Sequence, residues 1–154
     1  DAVRAHAGPH AILRTSWVRS AHVANFVKTT LRLGSERAAL SVVADQIGGP
    51  TPARALAEAC VHIATHLQPR PGDNGTYHLP GAPDVSWADF ARAIFAAADL
   101  PCTVTDIGTA DYPTPAKRPL NSRLDCTTTA RTFGIERPDW QTYLREVLDD
   151  LKKA

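Results

Sequence analysis

Short apolar runs alternate along the chain with stretches in which apolar residues recur every three or four positions, the mark of strands interleaved with amphipathic helices. "HAILRTSWV" (10–18), after Gly8-Pro9, reads as one buried strand, and "LSVVA" (40–44), "TYHL" (76–79) and "CTVTDI" (102–107) read as three more. Residues 1–7 read as the tail of a helix. Residues 25–38 predict a helix with Asn25 near its N-terminus, weakened at its far end by Gly34. The next helix is the clearest: Thr51 can cap it, Pro52 suits its first turn, and Leu56, Ala59, Cys60, Ile63, Ala64 and Leu67 form one stripe. On that stripe Cys60 reads as a small buried hydrophobe.

"QPRPGDNG" (68–75) breaks the pattern. Ser86 and Asp89 then resemble a capping box, ahead of Phe90, Ala91, Ile94, Phe95 and Ala98 on one face. A short helical turn ends at Gly134, and Asp139 caps a last helix carrying Tyr143, Leu144, Val147, Leu148 and Leu151. Strands alternating with helices make the class α/β, and 154 residues suit one domain.

Polar groups gather where the strands end. In open α/β sheets, ligands lie beyond the carboxyl ends of the strands. Trp17 follows the first run, and Asp45-Gln46 leads into "IGGPT". Gly48 and Gly49 permit close backbone approach, and the helix start at Thr51 offers amides to an anion. The plainer reading is an ordinary strand-to-helix turn whose Asp and Thr satisfy backbone amides, and spacing alone favours it. Likewise Trp17 reads first as packing and second as a stacking surface, while Trp87 and Trp140, at helix starts, read as packing. The loop 108–125 is long for a compact domain. Its stiff prolines carry Lys117, Arg118, Asn121 and Arg123, donors suited to phosphate or carbonyl oxygens.

Composition narrows the choices only modestly. The chain is 44% apolar and 21% charged, with 17 basic and 16 acidic residues and a net charge of +1. No basic stripe suggests nucleic acid or an anionic membrane, and no apolar run approaches the ~20 residues of a membrane span. Three dispersed cysteines without a C-x-x-C argue for reduced thiols and the cytoplasm. His62 and His66 have helical zinc spacing, but "HIATH" lacks the glutamate of the metalloprotease signature and suggests no third ligand, so no metal is expected. The sequence holds no G-x-G-x-x-G, and no tyrosine is followed by lysine four positions later.

Taken together, "LRTSWV", "NFVKTTLRL", "LSVVADQIGGPTPA", "GTYHLPGAPDVSWADFARAIF" and "YPTPAKRPLNSRLD" resemble the carboxyl-terminal half of dTDP-4-dehydrorhamnose reductases, which are extended short-chain dehydrogenase/reductases. The resemblance spans nearly the whole chain in order. It implies the carboxyl-terminal part of a Rossmann-type enzyme, residues 1–154 forming the substrate-binding portion. It also implies an NADPH- or NADH-dependent reduction of the C4 ketone of dTDP-4-dehydro-L-rhamnose, serving cell-surface polysaccharide. The amino-terminal half that binds the cofactor, and the Tyr-x-x-x-Lys pair that supplies the proton, lie outside this sequence, which starts where the helix bearing that lysine would be ending. The chain alone is therefore expected to be inactive. With one parallel sheet left partly uncovered, it is also expected to be marginal or to self-associate.

The resemblance assigns substrate contacts to Trp17 (beside the deoxysugar), Asn25 (near the diphosphate), Asp45, Gln46 and Thr51 ("DQ-G-PT" loop), and Arg118 and Asn121 ("RP-NS" loop). Ser16 matches a segment passing near the nicotinamide, a weaker cofactor contact. The expected partner is the dTDP-sugar, with neither nucleic acid nor membrane, and a homodimer of the full-length enzyme is left open. Two departures stand out. Arg19 replaces the family's usual tyrosine, making the local surface more basic. Arg54 stands where some members carry a glutamate of a dimer-bridging metal site. Two rival readings remain: a non-catalytic module of this fold, as in the regulatory subunit of methionine adenosyltransferase, or a reductase of another nucleotide-sugar ketone.

Overall fold

The first apolar run does not stay in one strand. In the computed structural model, which describes residues 2–5, 8–22 and 24–153, a short helix α1 (Ala2–Ala5) leads to β1 (Ala11–Arg14), which pairs in parallel with β6 (Gly75–His78), Leu13 opposite Tyr77. Of the helix tail expected over 1–7, residues 1, 6 and 7 lie outside the described set. The chain then turns at Trp17, whose φ is 51°, and resumes as β2 (Val18–Arg19), parallel to β5 (Thr51–Pro52). The polar pair Thr15-Ser16 explains the break, because both side chains bond to backbone of other segments (Thr15 Oγ1 to Leu79 O at 2.9 Å, Ser16 Oγ to Gly49 O at 3.4 Å) rather than continuing a ladder.

The other strands are β3 (Ala39–Val43), parallel to β8 (Thr103–Ile107), and β4 (Ile47–Gly48), antiparallel to β7 (Val85–Ser86). The α/β class holds, with parallel pairing in three of four pairs. Among the described residues, however, the strands form four two-stranded sheets and no continuous one.

Among the described residues five more α-helices follow: α2 (Phe26–Glu36), α3 (Ala53–Leu67), α4 (Trp87–Ala97), α5 (Thr127–Phe133) and α6 (Trp140–Lys153). Asn25 caps α2 as expected, its Oδ1 accepting from Val27 N at 3.0 Å. Ser86 caps α4 by accepting from Asp89 N at 2.9 Å, Asp139 bonds Gln141 N at the start of α6, and Gly134 ends α5 in the left-handed region. Thr51 does not cap α3. Its Oγ1 is committed to Ser16 O at 2.5 Å and Gly81 N at 3.0 Å, and α3 begins at Ala53 with Pro52 before it.

Three apolar clusters hold these elements. Val27, Phe90, Ile94, Trp140, Leu144 and Leu148 join α2, α4 and α6. Ile63, Leu67, Tyr77 and Phe133 join α3, β6 and α5. Val42, Ala88 and Ala91 seat β3 on α4. The buried stripe of α3 is narrower than its pattern suggested: Ala59, Ile63 and Leu67 are buried, whereas Cys60 and Ala64 are exposed. The helix packs through one edge of its apolar arc, and Cys60 falls outside it.

Gly34 does not fray α2. A Cβ there would lie 2.3 Å from Phe95 Cε1, so the missing side chain lets α2 sit against α4. Arg19 also departs from expectation. It is half-buried rather than free on the surface, its guanidinium carbon 4.8, 5.6 and 5.8 Å from the ring centres of Trp87, Phe90 and Phe26. Its Nη1 donates to Val18 O at 3.0 Å, while Nε and Nη2 are enclosed without a partner. Burial pushes its pKa down to about 10. Folding therefore disfavours the charged form, and the penalty is present at every pH below about 10, easing only as pH rises through that value.

Two stability changes follow. Gly34→Ala should gain ~1 kcal/mol of helix propensity but lose more by overpacking Phe95, typically ~1–3 kcal/mol. Urea denaturation should show net destabilisation, and a stabilised variant would contradict the close crossing. Arg19→Met keeps the length and removes two orphaned donors worth ~1–3 kcal/mol each, against cation–π contacts of ~0.5–2 kcal/mol. It should raise the urea midpoint, whereas a lowered midpoint would mean that the ring faces outweigh the desolvation.

Candidate functional site

A cleft of about 990 Å³ opens between α2, β3 and the loop after β8, and Trp17, Gln46, Trp87 and Arg118 are among its lining residues. The segment between Gln46 and α3 is held by a crossing of two backbones. A Cβ on Gly49 would lie 2.0 Å from Gly81 O, and one on Gly81 would lie 1.8 Å from Pro50 O, so neither position accepts a side chain. Thr51 ties the crossing together. Its side chain is 0% exposed, and Oγ1 donates to Ser16 O at 2.5 Å, accepts from Gly81 N at 3.0 Å and lies 3.1 Å from Thr15 Oγ1. The same crossing is braced by Arg137 Nη2, which donates to Gly81 O and to Asp84 Oδ1.

Above it, the left-handed turn at Trp17 lays its indole flat on Trp87, ring centres 3.7 Å apart and planes 13° from parallel. Gly48 makes room for this stack, since a Cβ there would meet Trp17 Cε2 at 2.7 Å. A non-glycine φ of this kind costs ~1–3 kcal/mol unless its surroundings fix it, and the indole stack together with the Thr51 amide bond to Trp17 O fixes it here.

The loop after β8 is fastened at both ends. At its start, Thr109 N and Oγ1 donate to the Asp45 carboxylate at 3.0 and 2.6 Å. Those bonds, the hydroxyl's first, hold the Asp45 pKa below the usual carboxylate value. At its end, Ile47 N donates to Leu120 O and Ser122 N donates to Ile47 O, both at 2.8 Å. Between these anchors, residues 110–121 are exposed, and Arg118 reaches the cleft with no hydrogen bond or ion pair to the rest of the described protein.

The eight residues singled out in the sequence therefore separate. Ser16, Trp17, Gln46 and Arg118 line the cleft. Asp45 clamps Thr109, and Thr51 is enclosed in the crossing. Asn121 Oδ1 accepts from Arg123 N at 3.1 Å and Nε at 2.9 Å. Asn25 is engaged on both sides of its amide, capping α2 and donating to Ser20 O at 2.7 Å. These last four are not among the residues lining the cleft. Sequence reasoning missed Trp87, read as packing alone, together with Tyr112 and Thr114, which also line the cleft. The only signal for Trp87 was its place directly after a helix cap.

Neither feature weighed for a metal gathers ligands. His62 Nε2 lies 3.1 Å from Phe133 O, and His66 Nε2 lies 2.7 Å from Asp73 Oδ2. Arg54 pairs with Glu58 at 3.0 Å and Glu146 at 3.5 Å, so a fixed cation already occupies the space between these carboxylates and the residues do not fit a bridging metal. Among the described residues no group of three or more His, Cys, Asp or Glu is placed to hold one. Among the described residues, no helix is long and apolar enough to cross a membrane.

An aromatic plate and an uncommitted guanidinium thus stand around one cleft of an α/β chain. The chain belongs to the RmlD substrate-binding domain family, whose model matches residues 1–153. It is 44% identical over 145 residues to the dTDP-4-dehydrorhamnose reductase of Sinorhizobium fredii, a match covering 90% of this chain and 49% of that protein. Among solved structures it is similar to a dTDP-4-dehydrorhamnose reductase from Clostridium acetobutylicum, with TM-score 0.81 and 34% identity over 92% of this chain and 49% of that one. It is also similar to the Bacillus anthracis reductase in complex with NADP, with TM-score 0.79 and 35% identity over 93% of this chain and 49% of that one. The chain thus spans about half the length of the relatives it matches.

The Thr51 hydroxyl carries the clearest test of this architecture. Thr51→Val would leave Gly81 N–H and Ser16 C=O without that partner, at ~1–3 kcal/mol, and should lower both the melting temperature and cleft binding. Thr51→Ser should restore most of the loss. Equal stability of the valine variant would show that the hydroxyl is dispensable.

Proposed function

We propose that this chain is the nucleotide-sugar-binding portion of a dTDP-4-dehydrorhamnose reductase, holding a dTDP-linked 4-ketosugar while its C4 ketone is reduced by NADPH or NADH. The observation that carries this reading is the shared cleft of Trp17 and Arg118, in a chain whose relatives bear that name over nearly all of its length. A flat indole suits the face of a sugar, and a guanidinium with no internal partner suits the diphosphate. Orientation of the sugar is then the chain's contribution to rate.

A nicotinamide cofactor supplies hydride in such a reaction. Of the described residues only Ser16, at the cleft edge with its hydroxyl weakly held by Gly49 O at 3.4 Å, is offered as a contact to it. The sequence has neither a dinucleotide fingerprint nor a Tyr-x-x-x-Lys pair, so this stretch by itself should bind substrate without turning it over. The reading carries with it the cytoplasm as location, in keeping with three unpaired cysteines, and leaves a homodimer of the full-length enzyme open. Asp45, Thr51, Asn25 and Asn121 enter it as residues that shape the loops, with ligand contact assigned first to Trp17 and Arg118.

Titration calorimetry with dTDP-L-rhamnose tests it. Saturable binding should weaken roughly tenfold or more in Arg118→Ala and in Trp17→Ala, each a loss of ~1.4 kcal/mol or more. No binding by the folded protein, or binding indifferent to both changes, would overturn the assignment.

A further inference from the structure

Trp87 is the first residue of α4, and its place is set by the helix start: Ser86 Oγ accepts from Asp89 N at 2.9 Å and donates to Asp89 Oδ2 at 2.8 Å. From that fixed point its indole does three things. One ring surface carries Trp17, 3.7 Å away. Its contacts with Phe26, ring centres 4.6 Å apart, and with the Arg19 guanidinium, 4.8 Å away, seat it on the aromatic core. Its Nε1 donates to Gln46 Oε1 at 3.2 Å.

The Gln46 contact continues. Gln46 is only 9% exposed, and its Nε2 donates to Thr109 Oγ1 at 3.1 Å. That hydroxyl in turn donates to Asp45 Oδ1 at 2.6 Å. Thr109 opens the loop that leads to Arg118. An unbroken chain of contacts therefore joins the indole under Trp17 to the anchor of the Arg118 loop. Every heavy-atom group in it is satisfied: the Gln46 amide spends its oxygen on Trp87 and one N–H on Thr109, and the Thr109 hydroxyl both accepts and donates.

Packing alone does not require this arrangement. A phenylalanine or leucine at position 87 would fill apolar space against Phe26 without presenting an N–H to Gln46. Burying the Gln46 amide costs free energy unless both of its ends are bonded, and Trp87 is what bonds its oxygen.

We propose that Trp87 is a positioning residue of the cleft. It fixes the plane of Trp17 by stacking, and through Gln46 and Thr109 it couples that plane to the loop bearing Arg118. The two groups that meet the sugar and the diphosphate thereby act as one unit. The proposal rests on the nucleotide-sugar reading above and adds to it how the two contacts are held in register.

The test is a set of double-mutant cycles on the purified protein, read by calorimetry with dTDP-L-rhamnose. Trp17→Leu and Arg118→Ala are combined in the native background and in Trp87→Leu, Trp87→Phe and Gln46→Leu backgrounds. In the native background the two losses should be non-additive by roughly threefold or more, the sign of groups that share a network. Trp87→Leu should weaken binding roughly tenfold and make the losses additive. Trp87→Phe and Gln46→Leu leave an aromatic ring under Trp17 but break the link from the indole Nε1 to Gln46 Oε1, so both should also make the losses additive. A merely structural residue would lower the melting temperature of all three variants without touching additivity.

Binding by the native protein with unchanged coupling in the folded Trp87→Phe and Gln46→Leu variants would overturn the role given to Trp87 while leaving the nucleotide-sugar reading intact. Failure of the native protein to bind would overturn both. If Trp87→Leu does not fold, the other two variants, which preserve the aromatic core, decide the matter.

Discussion

The structure turns on one buried oxygen, Thr51 Oγ1. Around it three segments distant in sequence come within hydrogen-bond reach: Thr15-Ser16 after the first strand, Gly49-Pro50-Thr51, and Gly81 after β6. A side chain on Gly49 or Gly81 would drive the last two apart. A hydroxyl is suited to such a junction because it donates and accepts at once, and a fully enclosed one leaves no water to take either part. The Trp17 turn, the Gly48 clearance and the start of α3 are all measured from this point.

From that junction the cleft follows by short steps. Fixing Trp17 O on Thr51 N holds the left-handed turn, and the turn places the indole over Trp87. Residues immediately beyond, Asp45 to Ile47, do no reaching of their own. They hold the far loop, at Thr109 on one side and at Leu120 and Ser122 on the other. The junction thus holds the aromatic plate, and a loop pinned at two points and stiffened by prolines carries the cation.

Much of this was legible in the sequence, and the reasons for the remainder are specific. Helices α2, α4 and α6 and their caps at Asn25, Ser86 and Asp139 follow from local rules, since a cap bonds residues two or three positions on. Thr51 looked like a cap for the same reason, but long-range partners outbid the local amides. The apolar run "HAILRTSWV" looked continuous because periodicity cannot see that Thr15 and Ser16 bond to Leu79 and Gly49. Arg19 looked exposed because charge is read as surface, whereas three aromatic faces from α2 and α4 enclose it. Trp17 and Arg118, which line the cleft, were singled out first as a stacking surface and a phosphate donor and then by resemblance. Trp87 was not, since its place in the cleft comes through a stack with a residue seventy positions away in sequence, a distance no local pattern spans.

The buried guanidinium of Arg19 shows how the site and the core bear on each other. It lies over Trp87, the indole that carries Trp17. A cation attracted to the face of an indole resists that ring's displacement, so the charge contributes to holding the plate even as its two unpartnered donors and its lowered pKa mark a cost to folding. An apolar residue in its place would pack at less cost and grip the ring less firmly. Stability and the geometry of the plate therefore pull in opposite directions at position 19, as they commonly do where a fold holds a ligand-binding surface in a strained conformation.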